Sequence, residues 1–241
     1  MSKIAVVGGA GKMGSLVCRM FEDEGISTIV VDKNKGQFSS ILSLNVDCDL
    51  VVDFSHPSAT NDVANYCTRT KTNLVVGTTG QSSAELETLK ELSKNVSVLL
   101  CANFSLGINC LADALSKLSQ NAQAVSIVER HHDKKIDCPS GTAIFLAKAM
   151  CSSGLTFDCS DLNSSKARQG HISVHSIRQG DCPGRHEITI SLPSEEIVLT
   201  HMAYDRTPFA KGVVFAAKKM LNITRVGMYD FASIARGDKN D

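Results

Sequence analysis

The sequence lacks several features that would assign a protein class at once. Its 25 Lys and Arg residues are balanced by 25 Asp and Glu residues, so it has no cationic surplus of the kind that binding to a nucleic-acid backbone requires. No apolar run reaches the roughly 20 residues that cross a bilayer. None of the nine cysteines forms a C-x-x-C pair. These absences argue against nucleic-acid binding, a membrane span and a framework of disulfides or zinc.

A signal-peptide core is also missing. Met1 to Lys3 leads directly into the short apolar run Ile4–Val7 and then into glycines, and this run is too short for such a core. Without an export signal, the cysteines are expected to be reduced thiols. We therefore expect a cytoplasmic protein with neither a nucleic-acid nor a membrane partner.

The N-terminal half has the pattern of a parallel sheet. Five short runs rich in Val, Ile and Leu show almost no alternation, which is typical of strands covered on both faces. These runs are Ile4–Val7, Ile29–Val31, Leu50–Val52, Leu74–Val76 and Val96–Leu100. An apolar stripe from Met13 to Phe21 predicts an amphipathic helix between the first two runs. The fold class predicted for this half is α/β, with a Rossmann-like doubly wound parallel sheet.

The turn after the first predicted strand is rich in glycine. It reads Gly8-Gly9-Ala10-Gly11-Lys12-Met13-Gly14. Glycines at this spacing allow a tight turn, a close approach of backbone amides to a pyrophosphate, and close packing of the helix on its strand. The spacing alone is a weak signal, and its place between a strand and a helix strengthens it. A dinucleotide is therefore predicted to contact Gly8, Gly9, Ala10, Gly11, Lys12 and Met13.

Charged residues near the end of the second predicted strand leave the choice of dinucleotide open. Asp32 lies about 20 residues after the glycines, where an acid binds the ribose hydroxyls of a non-phosphorylated cofactor. Lys33 and Lys12 are placed to bind a 2′-phosphate instead, or are solvated surface charges. The prediction is NADH or NADPH.

Polar loops follow the third, fourth and fifth predicted strands. In an open parallel sheet, ligands bind beyond the carboxyl ends of the strands. Three such loops suit a long ligand that lies along the edge of the sheet. Further cofactor contacts are expected from Gly77, Thr78 and Thr79 and from Ala102, Asn103 and Phe104.

The pattern changes after Gly107. A helical stripe from Ile108 to Leu118 is followed by Val125–Val128 and by segments that alternate apolar and polar residues. This alternation predicts a sheet with one polar face, which would meet solvent or another subunit. Toward the end, Phe209–Leu221 returns to a helical stripe.

These patterns predict two domains. Residues 1–102, completed by residues 209–241, would form the dinucleotide-binding domain. Residues 103–208 would form a C-terminal α+β domain with an open mixed sheet, for substrate binding and oligomerisation. Within it, the polar segment Gly154–Gln169 is expected to be the most mobile loop.

One connector concentrates the titratable groups of the chain. Glu129–Ala143 holds two adjacent histidines, two lysines and two further aspartates between a predicted strand and a predicted helix, and such a concentration is typical of a functional site. His131 can act as an acid near neutral pH, and Lys135 can supply a cation or a second proton. The turn that opens the helix offers hydroxyls and free backbone amides suited to a carboxylate. That turn is Ser140-Gly141-Thr142.

The composition of this connector has two other interpretations. A solvated charged loop would have a similar composition. A zinc site needs further ligands at regular spacing, and only Cys138 lies nearby, so no metal is predicted.

His186 lies among clustered basic residues and is the other histidine with a possible role. The histidines expected to be caps or surface residues are His56, His171, His175 and His201.

Taken together, these motifs resemble the 4-hydroxy-tetrahydrodipicolinate reductases (dihydrodipicolinate reductases) of bacterial and plant lysine biosynthesis. The matching motifs follow the order of that family from Gly8 to His186. They are Gly8-x-x-Gly11-Lys12-Met13-Gly14, Gly77-Thr78-Thr79-Gly80, Ala102-Asn103-Phe104-Ser105-x-Gly107, Glu129-x-His131-His132-x-x-Lys135-x-Asp137-x-Pro139-Ser140-Gly141-Thr142-Ala143 and Arg178-x-Gly180-Asp181-x-x-Gly184-x-His186.

The resemblance implies a reaction and a role for each residue. A nicotinamide cofactor would deliver hydride to an unsaturated cyclic dicarboxylate derived from pyruvate and aspartate semialdehyde. His131 and Lys135 would be the proton donors. The residues implied to hold the carboxylates of the substrate are His132, Ser140, Gly141 and Thr142. The family also implies a homotetramer formed through the C-terminal sheet.

The sequence departs from the family at two pairs of positions. Lys12 and Lys33 stand where many relatives carry arginine, whose phosphate contact is more bidentate. Cys101 and Cys138 replace small apolar residues and are expected to pack rather than react.

Two alternative functions stay open at this point. One is a reductase of a different amino-acid precursor on the same plan, which would not explain the His-His connector. The other is a binding protein that senses the cofactor, and such proteins usually carry a further basic or partner-binding module.

Overall fold

The computed structural model describes residues 2–157 and 170–237. Most of the loop expected to be mobile, Gly154–Gln169, lies outside these residues. The chain forms two compact units. Unit 1 consists of Met1–Phe104 and Phe209–Asp241, and unit 2 consists of Ser105–Pro208.

Unit 1 contains a parallel sheet of six strands. The strands are β1 (Lys3–Val7), β2 (Ser27–Val31), β3 (Leu50–Asp53), β4 (Asn73–Val76), β5 (Ser97–Leu100) and β11 (Gly227–Tyr229). Their order is β11-β5-β4-β3-β1-β2, and every pairing is parallel. The five predicted strands and the doubly wound sheet are confirmed. The sixth strand was not predicted, because it is only three residues long.

Helices cover both faces of this sheet, which explains why its strands show no alternation. The helices of unit 1 are α1 (Lys12–Asp23), α2 (Thr60–Thr70), α3 (Ser83–Leu92), α6 (Thr207–Met220) and α7 (Phe231–Arg236). Strand residues such as Ile4 and Val6 pack with α1, α6 and α7 in one apolar core. The intervening residues, such as Ala5 and Val7, pack with α2 and α3 in a second core.

Unit 2 contains a mixed sheet of five strands. The strands are β6 (Ala124–His131), β7 (Thr156–Phe157), β8 (His171–Arg178), β9 (Arg185–Leu192) and β10 (Glu195–Met202). Their order is β10-β9-β6-β8-β7. β6 and β8 are parallel, whereas β9 is antiparallel to both β6 and β10. The predicted α+β class and the open mixed sheet are confirmed.

Two helices of unit 2, α4 (Leu106–Leu118) and α5 (Gly141–Cys151), pack on one face of this sheet. Alternate strand residues such as Ile127, Ile172 and Ile188 form the core with them. The residues of the opposite face belong to none of the apolar cores. On β10, which lies at the sheet edge, that face is exposed.

Among the described residues, eight cysteines are free thiols. Cys101 is buried as expected, but Cys138 is exposed in the connector, so the expectation that it packs was wrong. No described helix combines the length and the apolar character that crossing a membrane demands.

Candidate active site

The connector Glu129–Ala143, which was predicted to be functional, starts where three strand ends of unit 2 meet. Because β6 and β8 are parallel and β9 runs the other way, the carboxyl ends of the first two lie beside the start of the third. Glu129 on β6 is the register partner of Ser176 on β8 and of His186 on β9. The N-terminus of α5 is added to this corner by a hydrogen bond from the Ser140 amide to Glu129 Oε1, at 3.2 Å.

Glu129 is the centre of the hydrogen bonds at this corner. Its side chain is fully buried, at 0% exposure, and accepts a short hydrogen bond from His131 Nδ1 and one from Arg178 Nη2 at 2.8 Å. Burial raises the pKa of the carboxyl, but the hydrogen bonds from His131 and Arg178 outweigh it and hold the pKa at about 2. Glu129 is therefore a carboxylate at neutral pH.

His131 is buried and has one nitrogen left for chemistry. Nδ1 contacts Glu129, and the ring lies edge-on to His186 with centroids 5.2 Å apart. On the far side of the ring, a Cβ atom at Gly184 would lie 3.1 Å from Nε2. The glycine therefore leaves room around the nitrogen that can give a proton to a substrate.

The segment that carries Lys135 is held from the other side by the loop after β8. The amide of His132 donates to the carbonyl of Cys182 at 2.7 Å, and the amide of Asp133 donates to Gly180 at 3.2 Å. Lys135 Nζ lies 2.8 Å from Asp137 Oδ1, and its side chain is 22% exposed. The ammonium of Lys135 is thus partly exposed, and the hydrogen bonds of His132 and Asp133 fix the backbone just before it.

The turn that was predicted to bind a carboxylate, here called the anion seat, lies at the start of α5. Ser140 Oγ caps the helix by accepting from the amide of Ala143 at 3.2 Å, and it lies 3.2 Å from His186 Nε2. Gly141 is exposed, and a Cβ there would meet nothing within 4 Å. His132 presents a buried Nδ1 with no hydrogen-bond partner within the described part of the chain. The backbone amides at a helix N-terminus can bind carboxylates.

His186 belongs to this corner as a neutral residue. Its burial, followed by the positive charge of neighbouring His131, lowers its pKa to about 3. His201 is its register partner on β10, and burial lowers the pKa of His201 as well. The expectation of a cap holds for His56, whose Nδ1 accepts from the Ser58 amide, but His201 is half-buried.

Glu129 and Arg178 were not among the predicted site residues, although both belong to the motifs that resemble the family. A signal for Glu129 was available, because it follows the inward-facing Val125 and Ile127 in strict alternation. A charged residue at a core position of a strand requires a buried partner. That partner, Arg178, is 49 residues away, and only the fold identifies it.

A metal ion is a possible occupant of the same corner by residue type. Glu129, His131 and His186 each place one ligand atom within 4.8 Å of the others. However, the carboxylate oxygens already accept hydrogen bonds from His131, Arg178 and Ser140. Because these hydrogen bonds occupy the carboxylate oxygens, the three side chains form a hydrogen-bonded cluster rather than an open set of metal ligands.

In unit 1, the glycine-rich turn has the geometry that dinucleotide binding needs. Gly8 has φ +73, and its amide donates to Val31 at 2.8 Å. A Cβ at Gly14 would lie only 2.2 Å from the Gly8 carbonyl oxygen, so the helix can approach the turn only with glycine there. Gly11 caps α1 without a side-chain hydrogen bond, which leaves the first amides of the helix available to a phosphate.

A cavity of about 820 Å³ adjoins this turn. Of the predicted cofactor residues, it is lined by Gly8, Gly11, Asp32 and Lys33. Asp32 Oδ1 accepts from the amides of Asn34 at 3.1 Å and Lys35 at 3.3 Å. One oxygen of the Asp32 carboxylate thus stabilises the turn that follows β2.

The other predicted cofactor residues do not line this cavity. They are Gly9, Ala10, Lys12, Met13, Gly77, Thr78, Thr79, Ala102, Asn103 and Phe104. Thr78 is buried, and its amide donates to the Asp53 carbonyl at 3.1 Å. The ring of Phe104 packs in the core, 5.8 Å from the rings of Phe54 and Phe231. Only its backbone remains for a ligand.

Comparison with known proteins finds one family over nearly the whole chain. The family description "Dihydrodipicolinate reductase, N-terminus" matches residues 2–104. The description "Dihydrodipicolinate reductase, C-terminus" matches residues 107–234.

Curated relatives agree over their full length. The 4-hydroxy-tetrahydrodipicolinate reductase of Clostridium tetani is 36% identical over 234 residues, which cover 91% of this chain and 92% of the relative. The enzyme of the same name from Thermosipho africanus is 35% identical over 237 residues, covering 97% and 98%.

Solved structures share the fold. The dipicolinate-bound dihydrodipicolinate reductase from Paenisporosarcina sp. TG-14 superimposes with a TM-score of 0.75 at 22% identity, covering 95% of this chain and 97% of that one. The WlbA dehydrogenase from Thermus thermophilus, in complex with NAD and UDP-GlcNAcA, reaches 0.58 at 12% identity, covering 98% and 92%. With both halves matched and full-length relatives above 30% identity, the chain belongs to the dihydrodipicolinate reductase family.

Proposed function

We propose that the protein reduces 4-hydroxy-tetrahydrodipicolinate with hydride from NAD(P)H, in a cytoplasmic step of lysine (diaminopimelate) biosynthesis. Family membership and the full-length relatives carry the reaction class. The observation that carries the residue roles is the buried cluster of Glu129, His131 and Arg178 beside the anion seat of α5. Unit 1 would bind the cofactor, and unit 2 would bind the substrate and supply the proton.

His131 and Lys135 are proposed as the proton donors. Reduction of 4-hydroxy-tetrahydrodipicolinate to tetrahydrodipicolinate takes up a hydride from NAD(P)H and a proton, and it releases the 4-hydroxyl group as water. The site must therefore supply a proton. His131 presents Nε2 beside Gly184 while its other nitrogen is held by Glu129. Lys135 presents an ammonium at the surface of the same connector. Imidazole is the side chain that most often serves as a general acid, and the ammonium of Lys135 offsets the negative charge of the substrate.

The carboxylates of the substrate are proposed to bind at the start of α5. Gly141 and Thr142 offer the first amides of the helix, Ser140 fixes that turn, and His132 offers a ring nitrogen. The structural relative from Paenisporosarcina binds dipicolinate, a ring with two carboxylates. A small dicarboxylate fits a seat built of amides and imidazole.

Both NADH and NADPH are proposed to serve as cofactor. The contacts would come from Gly8 to Met13, from Gly77 to Thr79, and from the backbone of Ala102 to Phe104. Asp32 keeps one carboxylate oxygen for ribose hydroxyls, since the other accepts two backbone amides. Lys33 is exposed and lines the same cavity, where it can contact a 2′-phosphate.

Lys33→Ala is therefore expected to raise KM for NADPH more than KM for NADH.

A homotetramer is proposed to form through the open face of the unit 2 sheet. The residues of that face on β10 are Glu196, Val198, Thr200 and Met202, and all four are exposed. Val198 and Met202 are large apolar residues, and β10 is an edge strand. An edge strand with exposed apolar residues is suited to association with another copy.

A coupled assay tests the function. Pyruvate, aspartate semialdehyde, the upstream condensing enzyme and reduced cofactor are mixed with the protein, and the loss of cofactor absorbance is followed. We expect oxidation that requires both carbon substrates and nearly vanishes with His131→Ala plus Lys135→Ala. Full activity in that double variant would remove the catalytic assignment. Oxidation that is independent of these substrates would favour a reductase of another precursor, and cofactor binding without turnover would favour a sensor.

A further inference from the structure

We infer that the buried Glu129–Arg178 ion pair is the positioning centre of the site, which fixes His131, the backbone of Lys135 and the anion seat together. The inference deepens the proposed function and rests on it. It concerns two residues that touch none of the reacting atoms in that proposal. Their contacts connect three segments that lie far apart in the sequence.

The first contact sets the hydrogen-bonding state of His131. Because Glu129 is a fully buried carboxylate, it can only accept a hydrogen bond from Nδ1. A neutral His131 then carries its proton on Nδ1, and Nε2 is left as the nitrogen that gains and loses the catalytic proton.

The second set of contacts holds the segment that carries Lys135. Arg178 Nη2 donates to Glu129 Oε1 at 2.8 Å and to the carbonyl of Asp137 at 2.5 Å. Arg178 Nε donates to the carbonyl of Lys135 at 3.3 Å. One planar guanidinium therefore joins the buried carboxylate to the backbone carbonyls of Lys135 and Asp137. A lysine in place of Arg178 could not reproduce these contacts.

The third contact reaches the substrate seat. Glu129 Oε1 accepts from the amide of Ser140 at 3.2 Å, immediately before the amides offered by α5. Any displacement of the carboxylate would therefore move the proton donor and the anion seat at the same time.

The stability of the core alone is a weak explanation for the buried Glu129–Arg178 ion pair. The neighbouring inward positions on β6, Val125 and Ile127, are apolar core residues. Replacing a buried ion pair with packed apolar groups is often neutral or stabilising. The partners of Glu129 and Arg178 lie in the functional connector rather than in the core, which favours a role in positioning.

Glu129→Gln is the direct test in the coupled assay. It keeps the shape of the side chain and removes the charge. We expect kcat to fall about 100-fold, since outer residues that orient a functional histidine contribute on that scale. We also expect the proton of neutral His131 to lose its preference for Nδ1 in nitrogen-15 NMR, because the amide of glutamine can donate as well as accept a hydrogen bond. A variant with the wild-type kcat and the wild-type His131 tautomer would overturn the inference.

Glu187→Gln is the matched control. Glu187 lies on the neighbouring strand β9 and pairs with Arg185 at 2.6 Å, but both side chains are more than one-third exposed. Glu187→Gln should keep the wild-type kcat and the wild-type His131 tautomer. An equal loss in both variants would show that any charge removed from this sheet has the same effect, and would also overturn the inference.

Two further measurements keep the test decisive if Glu129→Gln unfolds. Nitrogen-15 NMR of wild-type protein, with His131 assigned through His131→Asn, should show Nδ1 protonated in the neutral ring; a neutral ring protonated on Nε2 would contradict the inference. Arg178→Lys should lower kcat by at least about tenfold, and a wild-type kcat would contradict the role of Arg178. If the wild-type protein itself oxidises no cofactor in the assay, the proposed function fails, whereas the NMR result still reports on Glu129.

Discussion

At the scale of single residues, Gly184 shows how an absent side chain can serve the site. A Cβ at this position would lie 3.1 Å from His131 Nε2 and 3.4 Å from Cδ2, which is close enough to require the ring to shift. Glu129 holds the opposite edge of that ring, so little movement is available. Gly184→Ala should therefore lower kcat on the order of tenfold, because small displacements of a catalytic group are costly.

The measurement for Gly184→Ala is steady-state kinetics together with thermal unfolding. Gly227→Ala is the control, since a Cβ there would meet Tyr229 at an ordinary 3.7 Å. Wild-type turnover by Gly184→Ala would mean that Nε2 does not need the space beside residue 184.

His186 makes the stability of the fold depend on pH. Its pKa is about 3 in the folded protein and 6.5 as the ordinary value, so the unfolded chain binds the proton first as the pH falls. Stability should therefore decline as pH falls from 6.5 toward 3, with no such contribution above 6.5. Glu129 adds a loss only below its ordinary pKa of 4.5. The range from pH 7 to pH 5 therefore reports on buried histidines, including His201, whose pKa is also lowered, and a variant of His186 separates its share.

Urea unfolding of wild type and His186→Gln at pH 7 and pH 5 measures this dependence. The free energy of unfolding should fall less between these pH values in the variant. His175→Gln, on the opposite face of β8, is the control and should keep the wild-type slope. An unchanged slope in His186→Gln would contradict the assignment of a buried neutral histidine.

At the scale of elements, the close contact between α1 and the glycine-rich turn carries a prediction. Alanine is a better helix former than glycine by about 1 kcal/mol, so Gly14→Ala inside α1 would be stabilising if space were available. The Cβ would instead lie 2.2 Å from the Gly8 carbonyl oxygen. We expect destabilisation of about 1–3 kcal/mol, as for overpacking, and weaker binding of NADH and NADPH.

Gly11→Ala is the matched comparison for Gly14→Ala. Its Cβ would lie 3.1 Å from the same oxygen, so its effect on the unfolding temperature should be smaller. Thermal unfolding and fluorescence titration with each cofactor distinguish the two variants. A Gly14→Ala variant as stable as wild type would show that the turn can move away from the helix.

The elements also show which parts of the fold a sequence can predict. β1 to β5 were predictable because burial on both faces leaves continuous apolar runs. β6 was predicted only as Val125–Val128, whereas it extends over Ala124–His131. The reason is that Glu129 and His131 occupy inward positions that a hydrophobic pattern assigns to a loop. β11 depends on pairing with β5, in which Gly227 is the register partner of Ser97. Just before β11, the carbonyl of Arg225 accepts a hydrogen bond from Ser97 Oγ, 128 residues away, and no local pattern records such contacts.

For the site, the sequence predicted the types of residue that take part but not which of them contact one another in the fold. The histidine pair, Lys135 and the Ser-Gly-Thr turn stand in one segment, so local chemistry suffices to predict a proton donor beside an anion seat. Arg178 enters from β8 and His186 from β9. The strand register that sets them beside Glu129 is a property of the folded sheet.

At the scale of the whole molecule, the open face of the unit 2 sheet predicts self-association. Val198 lies on this face at the sheet edge and is 56% exposed. A charge there would have to be desolvated in an interface between copies, whereas it would cost little on a free surface. Val198→Lys should therefore reduce the assembled mass without lowering the stability of the protomer.

Light scattering of wild type and Val198→Lys at equal concentration measures the assembly. Leu42→Lys is the control, because Leu42 is also exposed, at 44%, but lies in unit 1. Leu42→Lys should keep the wild-type mass, which would tie any dissociation to the unit 2 sheet rather than to added charge. A Val198→Lys protein with the full mass of a tetramer would locate the interface elsewhere. A wild-type protein that is monomeric would remove the proposed tetramer and leave the residue roles in the reaction untouched, since each of their contacts lies within one chain.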